Sequence, residues 1–113
     1  MAIQEWSETI VVAELQDDPA FTDDLDTLNE QVQANAQLNV VLDFANVSYL
    51  NSSNIARLID LREAVVVNNQ RKMILCSVGT HVWGIFLVSE LHQVLEFADS
   101  VAEGLTTVQI SND

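Results

Sequence analysis

Residues 40–59 read VVLDFANVSYLNSSNIARLI. The apolar run through Val40, Val41, Leu42 and Phe44 predicts a strand, and a polar turn follows it. Two serines then stand where a helix begins, with Ile55, Leu58 and Ile59 as its first buried residues. A serine at a helix N-terminus faces backbone N–H groups that lack partners within the helix, a place that welcomes negative charge. A plain helix cap uses that position, and so does a reversible phosphoserine switch.

On the N-terminal side, Thr9–Leu15 has the β-branched enrichment of a strand. Asp18 is the predicted N-cap of a first helix with Pro19 at its first position, and Phe21, Leu25, Leu28 and Val32 recur at helical spacing. Leu38–Phe44 is continuous enough to be a central strand covered on both faces. A second helix is expected from Ser52 or Ser53 to about Val67, closed by Asn68 and Asn69. Lys72–Val78 predicts another buried strand. Thr80 is the predicted cap of a helical segment around Val82–Glu90, Leu95–Ala98 a short strand, and Asp99-Ser100 the cap of a last helix bearing Val101, Ala102 and Leu105. This alternation predicts an α/β fold, a small mixed sheet of about four or five strands with helices packed against it.

At 113 residues the chain suits one domain over 1–113, and its 49% hydrophobic and 19% charged residues are those of a folded protein. Seventeen acidic residues against four basic give a formal net charge of -13, which repels phosphate backbones and anionic lipid heads. Nucleic acid and membrane surfaces are therefore poor partners, whereas a protein with a basic contact surface is steered in. The lone Cys76 excludes an internal disulfide and, within the apolar run Met73–Val78, is expected to be a buried, inert thiol. No secretion signal opens the chain and its apolar runs are too short for a membrane span, so a cytoplasmic location is expected.

Enzyme signatures fail. The run Gly79–Gly84 imitates the spacing of a phosphate-binding loop, but Ile85 and Phe86 stand where lysine and a hydroxyl are needed. His81 and His92 lie far from any cysteine cluster, and the acidic residues Asp17, Asp18, Asp23, Asp24 and Asp26 lack the glycine and alternation of a calcium loop. No metal or cofactor is expected. Asn51-Ser52-Ser53-Asn54 remains: either one serine caps the helix while the asparagines satisfy turn amides, or one hydroxyl is a phosphoacceptor. Arg57, Arg62, Arg71 and Lys72 are all the basic residues present. They either pair with carboxylates or mark a contact face. Val82, Trp83, Phe86 and Leu87 are expected in the core, with an exposed docking patch as the alternative.

The stretch V-V-L-D-F-A-N-V-S-Y-L-N-S-S-N-I, residues 40–55, resembles the STAS family of anti-sigma factor antagonists. That family typically carries an apolar strand ending Asp-Leu/Phe, a short linker, and Asp-Ser-Ser/Thr-Gly before an aliphatic residue. The resemblance implies binding, not catalysis. In partner switching, the unphosphorylated antagonist binds an anti-sigma factor that is also a serine kinase. Phosphorylation ends the binding, and a PP2C-type phosphatase restores it. The implied phosphoacceptor is Ser52, with Ser53 as the alternative, and the implied partner-binding residues are Ser48, Tyr49, Asn51, Ser52, Ser53, Asn54, Ile55 and Arg57. Asn51 stands in place of the usual Asp and Asn54 in place of the usual Gly, so the charge normally beside the acceptor is missing from position 51. Two other readings compete: a non-switching STAS scaffold in a signalling assembly or lipid-transport complex, and a small enzyme on a flavodoxin-like framework.

Overall fold

The computed structural model describes residues 2–111. One five-stranded sheet runs in sequence order: β1 (Ile3–Glu5), β2 (Ile10–Gln16), β3 (Asn39–Asn46), β4 (Met73–Cys76) and β5 (Glu96–Ala98). β1 is antiparallel to β2, and the remaining neighbours are parallel. Helices α1 (Ala20–Ala34), α2 (Ser52–Arg62) and α3 (Thr80–Val88) connect successive parallel strands, and α4 (Val101–Ser111) follows β5. The mixed α/β sheet expected from the sequence is present, and β1 is an addition to it. Three residues with a single apolar side chain, Ile3, give no alternation to read.

Strand alternation divides the core in two. Val11, Ala13, Leu15, Val40, Leu42, Phe44, Met73 and Leu75 share one cluster with buried residues of α1, α2 and α3. Ile10, Val12, Val41, Ile74 and Cys76 cluster with Val108 of α4, and Val101 and Leu105 pack alongside. β3 is thus apolar on both sides, which is why it reads as an unbroken run. Phe44 links the larger core by edge-to-face contacts, its ring centroid 6.0 Å from that of Phe21 and 6.2 Å from that of Phe86. At the opposite end of β3, buried Asn39 donates from Nδ2 to the Thr9 carbonyl at 3.0 Å and accepts the Lys72 N–H at 2.9 Å, joining the starts of three strands.

Several boundaries differ from the sequence reading. α1 begins at Ala20, with Pro19 at the cap position, although the Asp18 carboxylate does accept the Thr22 N–H at 3.0 Å. The second helix stops being α-helical at Arg62 and widens into a π-helical turn, Glu63–Asn68, closed by the Asn69 N–H on the Ala64 carbonyl. Three consecutive valines crowd an α-helix, and the wider turn buries Val65 while leaving Val67 outside. Gly79, not Thr80, occupies the cap position of α3. Ser100 does cap α4, accepting the Glu103 N–H at 3.2 Å. Ile59 is 40% exposed, and Ile55 only half-buried. Trp83 and Leu87 are likewise partly outside the core that holds Val82 and Phe86.

Gly104 lets α4 approach the sheet. A Cβ there would lie 2.6 Å from Cys76 Sγ and 3.4 Å from Val41 Cγ1. A mid-helix glycine costs roughly 1 kcal/mol relative to alanine, but alanine here has no room. Gly104→Ala is expected to lower the unfolding free energy by about 1–3 kcal/mol through overpacking. Adding Cys76→Ala should recover part of that loss, as urea unfolding of wild type, both single variants and the double variant will measure.

Candidate functional site

The carboxyl ends of β2 and β3 are neighbours, so the loops leaving them meet at one end of the sheet, where ligand and partner sites gather in parallel α/β folds. The β3–α2 loop is anchored by buried Val47 and Leu50, which leaves Ser48 and Tyr49 exposed between them. Asp17, just beyond β2, holds this loop from below. Its carboxylate accepts the Ser48 N–H at 2.8 Å and also the Ser48 hydroxyl. These two bonds from Ser48 hold the Asp17 carboxyl below its ordinary value.

Asp18 does the same for the start of α2. Its Oδ2 accepts from Asn54 Nδ2 at 2.9 Å and from Asn51 Nδ2 at 3.3 Å. Its Oδ1 accepts from the Thr22 hydroxyl at 2.7 Å and the Thr22 N–H at 3.0 Å. The donated bonds, Asn54 foremost and then Thr22, keep this carboxyl too below its ordinary value.

The helix cap is made by the asparagines. Asn51 Oδ1 accepts the Asn54 N–H at 2.8 Å, and Asn54 Oδ1 accepts the Asn51 N–H at 3.1 Å, a reciprocal capping box. A serine cap, one of the two readings of this motif, is therefore not what the chain uses. Ser52 is the first residue of α2, exposed and outside the box. Ser53 is also exposed, but its hydroxyl accepts from Arg57 Nη1 at 2.6 Å, and the same guanidinium donates from Nε to Asp26 at 3.0 Å. The two serines therefore differ in kind: one hydroxyl engaged by a cation, the other presented to solvent at the positive end of a helix.

Of the residues singled out from sequence, Ser48, Tyr49, Asn51, Ser52 and Ser53 form one exposed surface, with Arg57 half-buried at its border. Asn54 is 1% exposed and faces Asp18, so it supports that surface from behind and offers none of its own. Ile55 is half-buried and packs on the larger core. Asp17, Asp18 and Thr22 were not read as part of the site. The acidic pair was legible as a helix start, but nothing in the sequence says that its partners lie 31 to 36 residues away. Of the other cations, Lys72 pairs with Glu96 at 3.7 Å and Arg71 bonds Gln37 at 2.6 Å, both away from this end. His92 is half-buried, with its ring edge-to-face on Trp83. Cys76 is fully buried, and burial, with Asp43 and Glu103 adding to it, pushes its thiol up to about 11. Among the described residues no helix is long and apolar enough to cross a membrane, and no three His, Cys, Asp or Glu side chains are gathered as a metal ion would need.

The profile of the STAS domain matches residues 11–104, and the chain belongs to that family. Solved structures share the fold at low identity. An anti-sigma-factor antagonist (STAS) domain protein from Planctomyces limnophilus is 17% identical, with 95% of this chain and 96% of that one covered and a TM-score of 0.78. The anti-sigma factor antagonist SpoIIAA in its unphosphorylated form is 16% identical over 95% of this chain and 94% of its own, also with a TM-score of 0.78. The Bacillus cell fate determinant SpoIIAA in its phosphorylated form is 15% identical over 94% and 96%, with a TM-score of 0.70. No curated protein matches the chain.

The clamp makes stability depend on acid in a fixed direction. Asp17 and Asp18 titrate below the ordinary 3.8 when folded, so the unfolded chain binds more protons near that pH. Their contribution is complete above 3.8 and is lost as pH falls through the lowered values. Asp24, raised by burial and by the charge of Asp23, works the other way. Thermal unfolding followed by circular dichroism should show the midpoint of wild type dropping on acidification below 3.8. Asp17→Asn and Asp18→Asn should start lower at neutral pH and drop less.

Proposed function

We propose that this STAS domain is an anti-sigma factor antagonist that acts in the bacterial cytoplasm by binding an anti-sigma factor that is also a serine kinase, with Ser52 as the phosphoacceptor that ends the binding. The observation that carries this reading is the Asn51–Asn54 capping box, which satisfies the start of α2 without using the Ser52 hydroxyl. A hydroxyl spent on a cap is held against its own backbone. Ser52 is instead exposed, on the same surface as Ser48, Tyr49 and Asn51.

A phosphate on Ser52 would add roughly 1.5 to 2 negative charges at the positive end of α2. The chain itself tolerates this, because Ser52 is exposed to water and stands at the end of α2 where unpartnered backbone N–H groups favour negative charge. A docked partner meets a sharper local charge and must strip water from a dianion, so affinity falls without any refolding. The net charge of -13 favours a partner whose contact face is basic. No step in this cycle asks the chain for chemistry of its own. The kinase supplies phosphoryl transfer and a PP2C-type phosphatase removes the group.

Incubation with the cognate kinase and ATP is expected to add one phosphoryl group to wild type and to Ser53→Ala, and none to Ser52→Ala, by intact-protein mass spectrometry. Ser52→Asp should bind the kinase at least tenfold more weakly than Ser52→Ala. Equal binding of those two variants would instead favour a STAS scaffold without a switch.

A further inference from the structure

α3 is apolar on every side, and a helix of that kind is ordinarily buried all round. Here only Val82 and Phe86 are fully inside, while Trp83, Leu87 and Val88 are 37%, 44% and 88% exposed. His81, Gly84, Ile85, Val88 and Ser89, one helical turn apart, line a shallow and mostly apolar groove along the outer face. Nothing inside the chain asks for the glycine in the middle of that line. Its φ is not positive, and a Cβ added to it would meet no other part of the fold within 4 Å, whereas one at Gly104 would run into Cys76. A mid-helix glycine weakens a helix relative to alanine, and at position 84 no internal contact offsets that. What the bare backbone offers is room on the outside for a second helix to come close.

The charge pattern identifies that second helix. Residues 73–89, which contain all of α3, are the longest stretch of the chain without Asp, Glu, Lys or Arg. Elsewhere seventeen acidic residues against four basic make two copies of the chain repel each other. A basic protein, drawn to the acidic surface, finds no carboxylate within α3 to pair with. A second copy brings the same uncharged, apolar helix, so this is the face on which two such chains meet with least repulsion. We infer that α3 is the contact face of a weak homodimer, two copies crossing antiparallel about a two-fold axis at Gly84. Such a contact is isologous, and it sets Val88 of each copy beside His81 of the other. Trp83, held edge-to-face on Phe97 with 5.0 Å between ring centroids, flanks the crossing as a rigid apolar wall. The charge of -13 on each copy opposes association, so the dimer tightens as salt rises. It does not depend on phosphorylation at Ser52.

Sedimentation equilibrium of the full chain from about 10 µM to about 1 mM is the test. Wild type should pass from the 12.5 kDa monomer to a species of twice that mass. Its Kd should fall about threefold or more between about 0.05 M and about 1 M NaCl. Val88→Glu, which buries a charge at the crossing, and Gly84→Gln, which fills the notch, should each raise Kd about tenfold or more. Ile110→Glu makes the same charge change at a 69% exposed position of α4 and should dimerise like wild type. Circular dichroism should show all three variants as folded as wild type, because Val88 and Ile110 lie outside the core and Gly84 faces open space. A Kd that rises with salt, or a Val88→Glu variant that dimerises like wild type or no worse than Ile110→Glu, overturns the inference. So does a wild type that stays monomeric throughout, and its pelleting with phosphatidylcholine vesicles would then give the face to lipid.

Discussion

Two adjacent carboxylates held entirely by donors fix the geometry of the exposed end of this molecule. Asp17 and Asp18 leave β2 side by side, and like charges so close are tolerable only when each is strongly solvated or strongly bonded. Here the protein supplies the bonds: Ser48 from the loop after β3 to one, Thr22, Asn51 and Asn54 to the other. The charge that would otherwise push two loops apart becomes the reason they stay together. Because these groups are partly solvated, each bond is modest by itself. Their effect lies in registering the start of α2 against the sheet, which hydrophobic packing alone leaves free to rotate or fray.

The division of labour within Asn51-Ser52-Ser53-Asn54 follows from that arrangement. Asparagine carries an acceptor and a donor on one short side chain, so the flanking pair can close the helix and bind Asp18 at once. The serines between them are left over as chemistry. Arg57 occupies one, while the other stands free. The free serine hydroxyl stands on a helix start fixed by its cap, so little conformational entropy would be lost if a partner met it there. The large acidic surface elsewhere adds repulsion against most cellular polyanions and narrows the field of partners.

How much of this was readable beforehand depends on whether the signal is local. β2, β3, β4 and the apolar faces of α1 and α2 could be read because alternation and helical spacing are properties of consecutive residues. The 40–59 stretch also placed the exposed serines at a helix start. β1 escaped because Ile3–Glu5 is defined by what it pairs with, not by its own pattern. The π-helical turn was written as plain helix, since valines occur in both and a single widened turn has no periodicity of its own to read. The cap was shared out wrongly among four candidate residues, because serine and asparagine are nearly equal in that role and the deciding partner, Asp18, lies in another loop. Gly104 gave no sign at all, its constraint being the distance to Cys76 across a layer boundary.

That last contact has a consequence for how the molecule can be watched. The smaller core is roofed by a single helix, and the sulfur beneath it sits directly behind that helix's glycine, Gly104. Burial keeps the sulfur protonated at neutral pH and out of reach of reagents. Modification therefore waits for the roof to lift, and the pace of thiol capture becomes a native clock for departures of the C-terminal helix, readable with no foreign probe introduced.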